Sequence, residues 1–153
     1  MSGWLLDTNL ATLLFDAKKM LRAPEATRRA REVVTVHGRL PISAVTLFEL
    51  RRGVRALVLR GKGARKAAEL ESWILRAEVL GLDEARFTGW TLAADLWARG
   101  RAFEPARVFS DADLMIAATA LRHDRTLVTS EARLAELLGA VGYASSVEVV
   151  PFA

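Results

Sequence analysis

Cysteine is absent from the 153 residues, which excludes disulfides, thiolate nucleophiles and thiolate metal sites. Histidine is nearly as scarce, and two imidazoles are too few for an ordinary zinc site. Any metal held by this chain is therefore expected to be a hard cation on oxygen ligands. No apolar stretch approaches the roughly 20 residues that span a bilayer. The chain also does not open with a basic segment leading into an apolar signal core, so a cytoplasmic protein with no membrane partner is expected. There is no repeat, low-complexity tract or interdomain linker. With 52% apolar residues, ample for a sizeable core, the length suits one domain spanning residues 1–153.

Negative charge is scarce in one stretch. Residues 18–66 carry 14 Lys and Arg against 3 acids, a balance of +11, so a net charge of +4 leaves −7 for the remainder. Eighteen of the 22 basic residues are arginine, whose guanidinium forks onto phosphate and stacks on bases better than an ammonium does. Such a run is either a solvated helical face or a surface for nucleic acid.

Short β-like runs alternate with helical segments. Strands are predicted at Trp4 to Leu6, Leu40 to Ile42, Val79 to Leu82, Thr126 to Thr129 and Val147 to Val150. Pro24 and Glu25 suit a helix first turn. Ser43 caps a helix through Leu59, and Gly61 and Gly63 separate it from another running to about Glu78, which makes a helical hairpin. Asp83 and Glu84 open a helix carrying Trp90 and Trp97 and ending at Gly100, and Ser110 starts the most apolar helix. This alternation predicts an α/β fold with a central parallel sheet of about five strands covered on both faces.

Acidic side chains stand where carboxylates are expensive to keep. Asp7 ends the apolar run Trp4-Leu5-Leu6. It either caps the next helix or, with Thr8 or Asn9 as cap, faces a ligand beyond the strand end, where sheets of this kind bind ligands. Glu49, in Val45-Thr46-Leu47-Phe48-Glu49-Leu50, is either a surface partner of Arg51 or Arg52 or a site residue. Asp113 shares a helical face with Ile116 and Ala117, and a carboxylate on a buried face needs a partner. Asp111 lies roughly 200° around the same helix, so it is assigned to the helix dipole and Asp113 to the site. Glu131, after the strand Leu127-Val128-Thr129, is a first-turn acid of the helix Ala132 to Leu138 or a further member of the site. Crowded carboxylates repel unless a cation joins them, and oxygen-only ligands favour Mg²⁺ or Mn²⁺. Metal ligation by Asp7, Glu49 and Asp113 would suit attack of an activated water on a phosphodiester.

Four pieces, in this order, resemble the PIN-domain ribonucleases, in particular the VapC-like toxins of toxin–antitoxin pairs. They are the strand end Asp7-Thr8-Asn9, the helix Val45-Thr46-Leu47-Phe48-Glu49-Leu50 with Gly53, the helix Asp113-Leu114-Met115-Ile116-Ala117-Ala118-Thr119-Ala120-Leu121, and the strand Thr126-Leu127-Val128-Thr129. The resemblance implies a PIN-like α/β/α sandwich, a Mg²⁺- or Mn²⁺-dependent endoribonuclease acting on RNA, a homodimer, and a cognate antitoxin that blocks the site. It puts Asp7, Glu49 and Asp113 at the family's three acidic positions and Glu131 at the fourth. There the family usually has Asn or Asp after Thr-Arg, whereas this chain reads Thr129-Ser130-Glu131. The competing reading is an RNA-binding or inactive PIN-like module whose acids only cap helices.

Trp73, Trp90 and Trp97 are expected in the core or at a subunit contact. His37 and His123, in polar surroundings near helix ends, are expected on the surface. The hairpin from Val45 to Glu78 is where a second subunit or an antitoxin segment is expected to dock.

Overall fold

Strands too apolar to alternate must be buried on both sides, which requires helices above and below. The structure, a computed structural model, describes residues 3–83 and 86–152. Its strands β1 (Trp4–Leu6), β2 (Leu40–Ser43), β3 (Ala77–Leu80), β4 (Thr126–Thr129) and β5 (Val147–Val149) pair in parallel in the order β3-β2-β1-β4-β5. Between β1 and β2 lie α1 (Thr8–Thr12), α2 (Ala17–Arg22) and α3 (Pro24–His37), and between β2 and β3 lie α4 (Ala44–Leu59) and α5 (Ala64–Leu75). The helices α6 (Thr88–Arg101) and α7 (Asp111–Arg122) precede β4, and α8 (Ala132–Ala140) precedes β5. This is the PIN-like α/β/α architecture expected.

Side-chain alternation along the strands divides the core into two layers. Leu6, Ile42 and Val128, aligned in register, face α1, α3, α4 and α5. Leu5 and Leu127, also in register, face α6, α7 and α8. Full burial of each such side chain contributes about 1.5–3 kcal/mol, so a one-residue slip that exchanged the two layers would be strongly opposed.

Three boundaries differ from expectation. The third strand is Ala77–Leu80, and α5 ends at Leu75, so Glu78 is a strand residue. Leu40 to Ser43 pairs with Ala77 to Leu80 residue by residue, and this long-range ladder overrides the helical leaning of Arg76-Ala77-Glu78. The helix expected from Asp83 and Glu84 begins at Thr88 instead; Asp83 has φ +67, and Glu84 lies outside the described residues. His37 and His123 are half-buried rather than on the surface: His37 Nε2 meets Glu78 Oε1 at 2.9 Å, and His123 Nε2 meets the Gly81 carbonyl at 2.8 Å. Trp73 packs against the first core layer, whereas Trp90 and Trp97 are 45% and 44% exposed and so lie outside it.

Two helical glycines differ in the room around them. Gly100 accepts the Arg107 N–H at 2.9 Å, and a Cβ there would collide with the Arg107 carbonyl, so α6 pins the loop that leads to the Ser110 cap of α7. Gly53, inside α4, has nothing within reach of a Cβ. Gly100→Ala is therefore expected to lower stability by about 1–3 kcal/mol through overpacking. Gly53→Ala is expected to raise it by about 0.5–1 kcal/mol through helix entropy. Urea midpoints of the two variants check the pair, and equal shifts of the same sign would refute this account of α6.

Candidate active site

In an open parallel sheet the crevice beyond the strand ends opens where the connections diverge. Here β1 feeds toward β2 on one side while β4, its other neighbour, feeds toward β5, so the divergence lies between β1 and β4. Asp7 follows β1 and Thr129 ends β4. The Asp7 N–H continues the ladder to the Val128 carbonyl at 3.0 Å, which fixes the residue's backbone. Its Oδ1 accepts the Leu10 N–H at 3.0 Å and its Oδ2 accepts the Thr129 hydroxyl at 2.6 Å. Of the two roles open to Asp7, the structure shows the cap: one oxygen caps α1, and the other is taken by Thr129 at the seam between β1 and β4. The side chain is buried, and that burial pushes its pKa up to about 6. The hydrogen bonds from Thr129, Leu10 and the Ser130 backbone favour the anion and limit the rise, to which the charge of Glu131 adds.

Glu49 is held by a chain of hydroxyls. Thr8 donates to Glu49 Oε1 at 2.6 Å, and Thr8 and Thr46 share a hydrogen bond of 3.0 Å. Each hydroxyl has one proton, so with that of Thr8 committed to the carboxylate, Thr46 must donate to Thr8. Ser43 donates to Thr46 at 3.2 Å while accepting the Thr46 N–H at 3.0 Å as the cap of α4. The relay Ser43 to Thr46 to Thr8 to Glu49 joins the end of β2 to the start of α1. The opposite oxygen of Glu49 lies 3.6 Å from Arg52 Nη2, so the surface pairing considered for Glu49 is present beside the inward bond.

Glu131 is exposed at the N-cap of α8, with its N–H on the Thr129 hydroxyl at 3.1 Å and its Oε1 accepting from Asn9 at 3.4 Å. Thr129 therefore carries both acids, donating to one and accepting from the backbone of the other. Asp113 sits in the first turn of α7, its N–H capped by Ser110 at 3.1 Å, with Asp111 in the same turn as expected for a dipole residue. A tight turn joins the end of α7 to β4, and the first turn of α7 lies about 14 Å back along the helix. There Leu114 and Ile116 share a core cluster with Val45, from the turn that follows β2.

Asp7, Glu49 and Glu131 are thus drawn together through consecutive residues, Asp7, Thr8 and Asn9. The carboxylate of Asp113 bonds to none of them. Among the described residues, no three acids or histidines stand close enough to share one ion. The donor set nonetheless fits a hard divalent cation: its oxygens have no nitrogen or sulfur competitor, and Asp7 is a desolvated carboxylate that a cation would stabilise as the anion. Ser43, Thr8, Thr46 and Thr129 were not singled out as site residues in the sequence. Thr8 and Thr129 lie within two residues of an acid and Ser43 ends a strand, signals that read equally as helix capping, and Thr46 inside α4 carried none.

The Asp7 shift makes stability depend on pH. Because its pKa is raised in the folded state, the contribution of this group is fully present below pH about 4 and is lost as pH rises through about 6. At neutral pH the cost is about 3 kcal/mol, at 1.36 kcal/mol per unit. In EDTA, Asp7→Asn is expected to be more stable than the parent at pH 7.5 and no more stable at pH 4, as read by chemical denaturation. A variant destabilised equally at both pH values would show that Asp7 is not desolvated.

A profile of the PIN domain matches residues 4–138. VapBC from Salmonella typhimurium, whose crystal structure is DNA-bound, is 26% identical with a TM-score of 0.73 over 97% of this chain and 98% of that one. VapBC-5 from Mycobacterium tuberculosis, a member of the VapBC family of toxin-antitoxin systems, is 29% identical with a TM-score of 0.56 over 99% of each chain. VapBC2 from Rickettsia felis, bound to a DNA fragment from the promoter, shares the fold at 18% identity, with a TM-score of 0.72 over 95% of this chain and 97% of that one. Comparison with curated protein sequences gives no significant match. With nearly its whole length matched by that profile, this chain belongs to the PIN-domain family.

Proposed function

We propose that this chain is a Mg²⁺- or Mn²⁺-dependent endoribonuclease and the toxin of a toxin–antitoxin pair. The observation that carries the reading is Asp7, a desolvated carboxylate at the strand-divergence crevice, joined through Thr129 and its neighbours Thr8 and Asn9 to Glu131 and Glu49. Asp7 and Glu131 each stand at a helix start, but capping does not account for the bond that ties Glu49 to Thr8, the residue next to Asp7. Family membership supports a nuclease, and the VapBC neighbours support a cognate antitoxin as partner.

In this reading Asp7, Glu49 and Asp113 hold the cation and Glu131 completes the acidic rim. When bound, the cation supplies a lowered pKa for the attacking water and neutralises charge on the phosphate. The chain's own residues do the positioning. Thr129 fixes Asp7, the Ser43–Thr46–Thr8 relay fixes Glu49, and the Ser110 cap aims the first turn of α7. Arg52, exposed beside Glu49, meets the substrate's phosphate oxygens. A homodimer and a cytoplasmic location belong to the same proposal.

One observation favours the alternative of an RNA-binding module without nuclease activity: among the described residues no three acids share an ion position. Incubation of the purified protein with total RNA, with and without EDTA, separates the two. Cleavage is expected only with free Mg²⁺ or Mn²⁺, and Asp7→Asn and Asp113→Asn are each expected to lower the rate by about 100-fold or more. Cleavage that persists in EDTA or in both variants would refute the assignment. Growth arrest on expression, relieved by co-expression of the neighbouring open reading frame, checks the toxin role.

A further inference from the structure

The acidic site accounts for little of the positive charge in residues 18–66. Beside Glu49 opens a cleft of about 350 Å³ bordered by Thr8, Lys19, Arg52 and Lys66. It shares Phe15, Asp16, Lys19 and Lys66 with a hollow of about 570 Å³ that runs on between α2 and the start of α5, past Lys18, Arg22 and Arg65. The two form one groove that begins at a candidate metal ligand. Six cations line it against the acids Asp16, Glu49 and Glu69. Lys66 bonds to Asp16 at 3.3 Å and Arg52 approaches Glu49, whereas Lys18, Lys19, Arg22 and Arg65 are exposed and form no ion pair with a described residue. Asp16 caps α2 through its other oxygen, at 3.2 Å from the Lys19 N–H, so a single carboxylate holds both walls of the groove.

A solvated basic face would scatter its charges over a convex helix. Here they border a concavity continuous with the acids. The aromatic ring in the groove, Phe15, is buried and offers no platform on which a base could stack. We infer that this groove is the track for the sugar-phosphate backbone of the RNA strand as it leaves the acidic site, an inference that rests on the RNA-cleaving reading above. Recognition along it is by charge and not by sequence, because its exposed cations suit phosphate oxygens and its one aromatic ring is buried.

The test uses binding alone. In an Asp7→Asn background with EDTA, neither cleavage nor metal contributes, and fluorescence anisotropy reports affinity for labelled oligouridylate and oligoadenylate of equal length. Lys18→Ala, Lys19→Ala and Arg22→Ala together are expected to weaken binding of both by about tenfold or more at 0.1 M salt. They are also expected to reduce the slope of log affinity against log salt by about 2, at roughly 0.7 per lost phosphate contact. The same loss of charge elsewhere, by Arg76→Ala, Arg86→Ala and Arg101→Ala, is expected to change affinity less than about twofold. Lys18→Arg with Lys19→Arg is expected to bind as the parent does. Equal effects of the two triple variants would overturn the track. So would retention of RNA affinity in the groove variant together with loss of binding to an acidic polyglutamate peptide, which would assign the groove to a protein segment. Absence of metal-dependent cleavage with groove-dependent binding intact would refute the nuclease proposal and leave the track standing.

Discussion

The hydrogen bond from Thr129 to Asp7 is the constraint on which the rest of the site depends. It crosses the seam between β1 and β4, where the two halves of the sheet diverge, and sets a carboxylate where water is largely excluded. A buried carboxylate without donors would be expelled or protonated. This one keeps three: the Thr129 hydroxyl and the N–H groups of Leu10 and Ser130. One belongs to the last residue of β4, one to the turn after it and one to α1, so stabilising the acid also fixes where both segments leave the sheet. Thr129 accepts the Glu131 N–H as well, and the position of the next acid follows from the first.

Glu49 is reached by a different route with the same logic. Three hydroxyls in series run from the end of β2 to its carboxylate, and their direction is dictated at the acceptor, since an ionised carboxylate cannot donate. Both lines begin at strand ends, where parallel pairing holds the backbone. Asp113 is positioned otherwise. Its carboxylate has no bond to the other acids, and its place is set by the Ser110 cap and by the packing of α7 against α6, with Gly100 holding the loop before it. The proposed site therefore has a hydrogen-bonded half on β1, β2 and β4, and a half carried by one helix.

Much of this was legible in the sequence. Ser43 to Leu59 could be bounded because a capping serine and a glycine pair mark its ends, and Trp4 to Leu6 because a short apolar run stops at an acid. Asp7 could be singled out by its neighbours, but not its role as the cap, since Thr8 and Asn9 offer capping side chains as well and the partner Thr129 is distant in the chain. The start of β3 was hidden because Arg76-Ala77-Glu78 has no strand preference, and its pairing partner lies more than thirty residues away. Phe87 and Asp83 both adopt positive φ, which their side chains do not announce, and so the helix start at Thr88 was missed. The histidines were misplaced for a related reason. Glu78 and the Gly81 carbonyl, which draw His37 and His123 inward, are not their neighbours in the chain.

The separation of charge along the chain has a structural counterpart that bears on how a polyanion could reach an acidic pocket. Like charges repel a phosphate strand, and in salt that repulsion fades beyond roughly 8–10 Å. Exposed cations near the rim act over the same range. Arg52 and Lys19 stand in the same cleft as Glu49, and Lys18, Arg22 and Arg65 continue from it, so the approach to the acids passes over positive charge. The acids are tied inward by hydroxyls and the exposed cations are left to solvent, where an ammonium or guanidinium is cheap to keep. Burial alone would not produce this order, because desolvation penalises both signs. It follows from supplying hydroxyl and amide donors, which stabilise anions only, at the ends of β1, β2 and β4.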